Sequence, residues 1–173
     1  MFTRRLLFAS AALLTASALL ISSPLAAQSP DPLAIVKSIY GKRDPYGAAS
    51  SLQASSGERP ALSKSLAALW KKSDDGTAEG DETPPGFDVV SNSQGMDAKS
   101  AVVSYERPTP ERATVVAKLT PDPRYVRRSR EDNVVRYDFV REDGRWKIDD
   151  VRGTTDRKAW SIRALLTDTL KYQ

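Results

Sequence analysis

Among the 173 residues there is no cysteine and no histidine. The first absence excludes a disulfide framework, thiolate metal ligands, a cysteine nucleophile and lipid attachment through an N-terminal cysteine. The second excludes a Ser-His-Asp triad and any imidazole general base. Together they leave no metal site of the Cys/His kind, and no motif calls for a cofactor. Any catalysis must rest on carboxylates, Lys, Arg, Tyr, Ser or Thr. A surplus of one charge is missing too. The chain sets 26 basic residues against 22 acidic ones, a net charge of +4. That balance argues against nucleic acid as a partner. The length corresponds to one domain.

What is present begins with an address. Arg4 and Arg5 stand before residues 6–21, an uncharged run rich in Leu and Ala. Ser22-Ser23-Pro24 ends the run, and Leu25-Ala26-Ala27 supplies small residues before Gln28. Basic, then apolar, then small is the order of a secretory signal peptide. The run is shorter than the ~20 residues that span a bilayer. Residues 1–27 are therefore expected to be a signal peptide cleaved near Ala27, with no stable membrane span afterwards and a periplasmic or secreted destination. Thr3-Arg4-Arg5-Leu6-Leu7-Phe8 loosely resembles a twin-arginine signal, but paired arginines are common in ordinary signals. Cleavage removes Arg4 and Arg5 and lowers the net charge from +4 to +2. Residues 28–173 then form a single α+β domain.

Asp31-Pro32 suits a helix start, and Leu33, Val36, Ile39 and Tyr40 recur at helical spacing. Asp44-Pro45-Tyr46-Gly47 stops that helix, and a Ser/Ala/Gly-rich loop runs on to Arg59. A second helix is expected from Pro60, with Leu62, Leu66, Leu69 and Trp70 on one face. Residues 74–86 read as an acidic, solvated loop whose spacing does not fit a calcium loop. Strands are expected at residues 87–90, 101–105, 113–119, 134–142 and 145–152. Pro108 and Pro110 make the link between the second and third of these an open loop. Asp143-Gly144 between two alternating runs signals a hairpin. From Ala159 on, Ile162, Leu165, Leu166 and Leu170 suggest a final amphipathic helix.

A two-residue turn at Asp143-Gly144 fixes a register. Phe139 opposes Ile148, Tyr137 opposes Asp150, and Val135 opposes Arg152. One face then carries Val135, Tyr137, Phe139, Trp146 and Ile148, with Asp150 and Arg152 at its far end. The other carries Arg136, Asp138, Lys147 and Asp149 and reads as the wet face, with Asp138 opposite Asp149. Asp150 is the odd residue, a carboxylate ending an apolar face. Desolvation there would raise its pKa and make it a general-base candidate beside Tyr137. The plainer reading pairs it with Arg152 or Tyr137, or lets it reach water at the sheet edge. Tyr137 and Trp146 read first as core aromatics and second as pocket walls.

Several stretches resemble the secreted bacterial domain-of-unknown-function family 3828. They are Ile35-Val36-Lys37-Ser38-Ile39-Tyr40, Leu66-Ala67-Ala68-Leu69-Trp70, Val135-Arg136-Tyr137-Asp138, Trp146-Lys147-Ile148-Asp149-Asp150-Val151 and Ser161-Ile162-Arg163-Ala164-Leu165-Leu166. The resemblance covers most of the mature chain. It implies an NTF2-like, cystatin-like architecture: a curved, mainly antiparallel sheet against two N-terminal helices and one C-terminal helix, leaving a conical pocket. It implies an envelope address and transfers no catalytic residue.

Arg124, Arg127, Arg128 and Arg130 crowd into seven residues with Tyr125. Arginine forks suit phosphate and carboxylate partners, so these four are candidates for an anionic envelope component. The plainer reading is a solvated loop. The expectation is a non-enzymatic ligand- or protein-binding module, with Tyr137, Trp146, Asp150 and Arg152 as binding candidates. A pocket isomerase or hydrolase using Asp150 as base, and an immunity or inhibitor protein acting through a surface patch, are the alternatives.

Overall fold

The computed structural model describes residues 30–41, 52, 62–78, 85–94, 98–124 and 127–171. The export signal expected at residues 1–27 and the helix stop expected at Asp44-Pro45-Tyr46-Gly47 lie outside them. The described chain is α+β. Helices α1 (Pro32–Gly41) and α2 (Lys64–Gly76) precede strands β1 (Ala98–Pro108), β2 (Arg112–Pro121), β3 (Val134–Glu142), β4 (Arg145–Thr155) and β5 (Lys158–Ser161), and α3 (Ile162–Thr169) follows. The strands pair antiparallel in chain order, β1-β2-β3-β4-β5.

Local chemistry sets the helix ends. Asp31 accepts the Ala34 amide at 2.7 Å, so α1 starts at the expected place. The second helix starts later than Pro60 because Ser63 is its cap, accepting the Leu66 amide at 3.1 Å. Leu62 stays outside the helix and bridges Ile148 in parallel, and the Ser63 amide donates to the Ile148 carbonyl at 2.8 Å. Asp74 and Asp75, expected in a loop, form the last turn of α2. Leu52, placed by its surroundings in a loop, is helical and 1 % exposed.

The core lies between the helices and one face of the sheet. Val36, Leu66, Trp70, Ile162 and Leu166 from the helices meet Val115, Val135, Tyr137, Phe139, Ile148 and Val151 from the strands, all essentially without exposure. Phe139 and Ile148 are paired across the hairpin and both buried, as the alternation requires.

Beyond that pair the expected register fails. Asp149 is an extra residue on β4, so Asp138 opposes Asp150, Tyr137 opposes Val151, and Arg136 opposes Arg152. A β-bulge of this kind turns every later side chain to the other face. Val151 therefore takes the buried position expected for Asp150. Asp150 and Arg152 join Arg136 and Asp138 on the opposite, charged face. Asp138 faces Asp150, not Asp149, and its charge is answered by Arg152 at 2.6 Å and Thr114 at 2.7 Å.

Three further expectations are corrected. Residues 87–90 make a turn and not a strand, because the Asp88 carboxylate takes the amides of Val90 and Ser91 and closes the chain on itself. The link between β1 and β2 is tight despite its prolines. The Thr109 amide and hydroxyl both reach the Arg112 carbonyl, at 2.7 and 2.8 Å. Ala159 belongs to a fifth strand that the sequence reading missed, and the last helix begins only after Ser161, which accepts the Ala164 amide.

Candidate functional site

The β4–β5 hairpin turns through Asp156 and Arg157, both left-handed with φ of 52° and 66°. Two consecutive positive φ values make the tight turn whose twist suits flanking strands. Beside the hairpin lies the 88–93 turn, closed by the Asp88–Ser93 bridge and carrying Asn92 at φ 54°. Asn tolerates that conformation better than most residues. Its side chain is 3 % exposed and fully engaged. The amide nitrogen donates to the Asp132 and Thr154 carbonyls at 2.8 and 2.7 Å, and the oxygen accepts from Trp160 Nε1 at 2.8 Å and Thr155 Oγ1 at 3.1 Å. Asn92 thus holds the hairpin, the turn and the 3-10 turn Glu131–Asn133 in one arrangement.

Between these pieces runs a groove of about 550 Å³. Its apolar wall is Phe87 and Trp160, edge to face at 5.0 Å, with Ala159 and Leu165. Gly153 is the strand partner of Trp160. A Cβ on Gly153 would lie 2.7 Å from the indole, so only glycine lets the ring lie flat against β4. The rim is charged and exposed: Lys158, and Arg128 paired with Asp156 at 3.2 Å. The size suits a small ligand. A second groove of about 350 Å³ lies at the other hairpin, among Leu62, Lys64, Glu142, Asp143, Arg145 and Lys147. Its charges answer one another, with Glu142 accepting the Lys64 amide at 3.0 Å and Lys64 Nζ reaching Asp143 at 2.7 Å.

The residues singled out from sequence do not converge on the groove at Phe87 and Trp160. Tyr137 is fully buried and shares a 3.1 Å hydrogen bond with the Tyr40 hydroxyl in the core. Trp146 is half-buried at the end of the apolar face, under the Arg141 guanidinium at 5.6 Å. Asp150 and Tyr137 project to opposite sides of the sheet, so the pairing imagined for proton transfer does not form. Burial does raise the Asp150 pKa, and the facing Asp138 charge adds to the rise. Yet its oxygens are taken by the Ser161 hydroxyl at 2.6 Å, the Val151 amide at 2.9 Å and the Arg163 amide at 3.2 Å. It braces the start of α3 and lines neither groove.

The four arginines separate in the same way. Arg124 clamps Asp122 at 2.9 Å, and that hydrogen-bonded guanidinium lowers the Asp122 pKa to about 2. Arg127 is half-buried and donates to the carbonyls of Ser91, Asn92 and Asp132. Arg130 is exposed beside the 3-10 turn. Of the four, Arg128 alone lines the groove.

Sequence reasoning missed Phe87, Asn92, Gly153, Lys158 and Trp160. The available signal was the spacing of Gly153 and Trp160 about Asp156-Arg157, a hairpin whose turn lacks the glycine that usually marks one. Among the described residues no helix is long and apolar enough to cross a membrane, and no three acidic side chains gather as a metal site. Comparison with models of known families, with curated proteins and with solved structures finds no match.

Proposed function

We propose that the chain is an exported cell-envelope binding module of NTF2-like architecture that holds a small ligand in the groove between the β4–β5 hairpin and the Asn92 turn. The export address rests on the basic, apolar, small order of residues 1–27. The architecture rests on the family resemblance and on an antiparallel sheet backed by helices. One observation carries the function: a groove of about 550 Å³ walled by Phe87 and Trp160, whose shape is fixed by a side chain with no hydrogen-bonding capacity left over. Its apolar wall offers surface for the body of a ligand. Against the isomerase or hydrolase reading stands Asp150, whose oxygens are already held. Against an inhibitor acting through an apolar patch stands the placement of Val102 and Tyr105, the exposed large apolar residues among the described ones, on opposite faces of β1.

The test is purification of the full chain from its native envelope, followed by native mass spectrometry. The wild-type protein is expected to carry a small molecule that Trp160→Ala loses while keeping its circular dichroism. A ligand-free wild type that also shows no thermal shift with any of a panel of small apolar compounds would overturn the reading.

A further inference from the structure

The groove sets an apolar wall beside a rim of two cations, and that combination selects among ligands. Phe87, Trp160, Ala159 and Leu165 accept a flat or aliphatic body. Arg128 and Lys158 stand at the mouth. Arg128 is engaged by Asp156 at 3.2 Å, with side chains 74 % and 50 % exposed. Lys158 has no carboxylate within ion-pair distance among the described residues. The rim therefore carries a net positive charge directly beside aromatic surface. An ion pair this exposed contributes little, so Arg128 can exchange Asp156 for an incoming anion at small cost. A guanidinium bonds a carboxylate, phosphate or sulfonate with both arms, whereas an exposed ammonium adds a movable point charge.

From this we infer that the groove takes an amphipathic organic anion, its apolar body on Phe87 and Trp160 and its acidic group between Arg128 and Lys158. The inference rests on the groove being a ligand site at all, and it adds the class of ligand. Within the groove Asn92, whose side chain is fully bonded, acts only to position Trp160. Asp156 competes with the ligand for Arg128 and so sets how tightly the anion is held.

Two fluorescent probes with one body test it. 8-Anilinonaphthalene-1-sulfonate carries an anionic group, and N-phenyl-1-naphthylamine is its neutral counterpart. Both are titrated into the full folded chain, with near-ultraviolet circular dichroism confirming the fold of every variant. The sulfonate is expected to bind about tenfold more tightly than the neutral probe at low salt, the effect of one charge-assisted contact. That advantage should shrink as ionic strength rises. Arg128→Ala with Lys158→Ala should bring the sulfonate to the level of the neutral probe, while Lys118→Ala on β2 changes neither. Asp156→Asn, which keeps a residue suited to left-handed φ, should tighten the sulfonate severalfold. Ala159→Trp fills the groove from its exposed side and should abolish both probes. Equal binding of the two probes, unmoved by the double variant, would overturn the anion inference and leave the groove reading standing. No binding of either probe, or binding that Ala159→Trp does not touch, would overturn both.

Discussion

Asn92 uses two donors and two acceptor positions on four different partners, at the meeting of three chain segments. Removing the side chain would leave the Trp160 indole N–H and the Thr154 carbonyl without this partner, while the Asp132 carbonyl keeps Arg127, and a polar group left unpaired costs more than the bond itself contributes. Asn92→Ala is therefore expected to lower stability by roughly 3 kcal/mol in urea unfolding. It should also loosen Trp160, visible as a red-shifted emission. Gly153 acts on the same ring from the other side. Gly153→Ala places a methyl 2.7 Å from the Trp160 ring, and neither the indole nor the strand can yield without breaking the 2.8 Å bond to Asn92. The expected loss is about 1–3 kcal/mol, as for other overpacked sites. Small-ligand binding should weaken in parallel, read by thermal shift. Unchanged stability and fluorescence in both variants would mean that the groove wall is not held as described.

At the scale of elements, the two hairpin turns share a geometry and differ in how plainly the sequence announces it. Asp143 and Gly144 have φ of 50° and 73°, and Asp156 and Arg157 have 52° and 66°. The first pair contains the glycine that positive φ favours, and that hairpin was legible with its first register pairs. The second puts an arginine where a side chain crowds its own backbone. β5 was consequently read as part of a helix, and with it the groove was missed. Arg157→Gly should relieve that strain and stabilise the chain by about 1 kcal/mol, measured as a shift in the urea midpoint. No change would mean that Arg157 gains elsewhere what the turn costs. The bulge at Asp149 was hidden for a different reason. Alternation is a local pattern, and nothing in Ile148-Asp149-Asp150-Val151 shows that one residue will be left over. The cause is distant, because the carboxylate answers Ser63 at 2.7 Å and the Arg163 guanidinium, from the starts of α2 and α3. Helix existence, the core face up to Ile148 and the antiparallel pairing were readable from spacing. The site was not, because it is built from a turn, a bulged strand and a hairpin that meet only in three dimensions.

At the scale of the whole molecule, the β3–β4 hairpin is tied to the helices by three carboxylates. Glu142 accepts the Lys64 amide at the start of α2, Asp149 binds Ser63 and Arg163, and Asp150 accepts the Ser161 hydroxyl and the Arg163 amide at the start of α3. Each lies where the positive end of a helix favours negative charge. Two of the three nevertheless respond to acid in opposite ways. Burial works against the Asp149 carboxylate, but the Ser63 and Arg163 hydrogen bonds outweigh it and hold its pKa below the ordinary 3.8. Its contribution to stability is present above that value and is lost as pH falls through the lowered one. Burial dominates at Asp150, whose pKa stands above 3.8. Between those two values the folded chain holds the proton more tightly than the unfolded chain, so the contribution of Asp150 falls as pH rises through its folded pKa. Asp149→Asn is expected to be less stable than wild type at pH 7, by about 2 kcal/mol for the weakened bonds to Ser63 and Arg163, with the gap closing below pH 3.8. Asp150→Asn retains an acceptor for the Val151 and Arg163 amides and sheds the buried charge. It should equal or exceed wild type at pH 7 and lose that advantage as the pH approaches 3.8. Urea unfolding of both variants at steps from pH 3 to pH 8 separates the two slopes. Parallel curves for the two variants would mean that the bulge does not divide these neighbouring aspartates as the register requires.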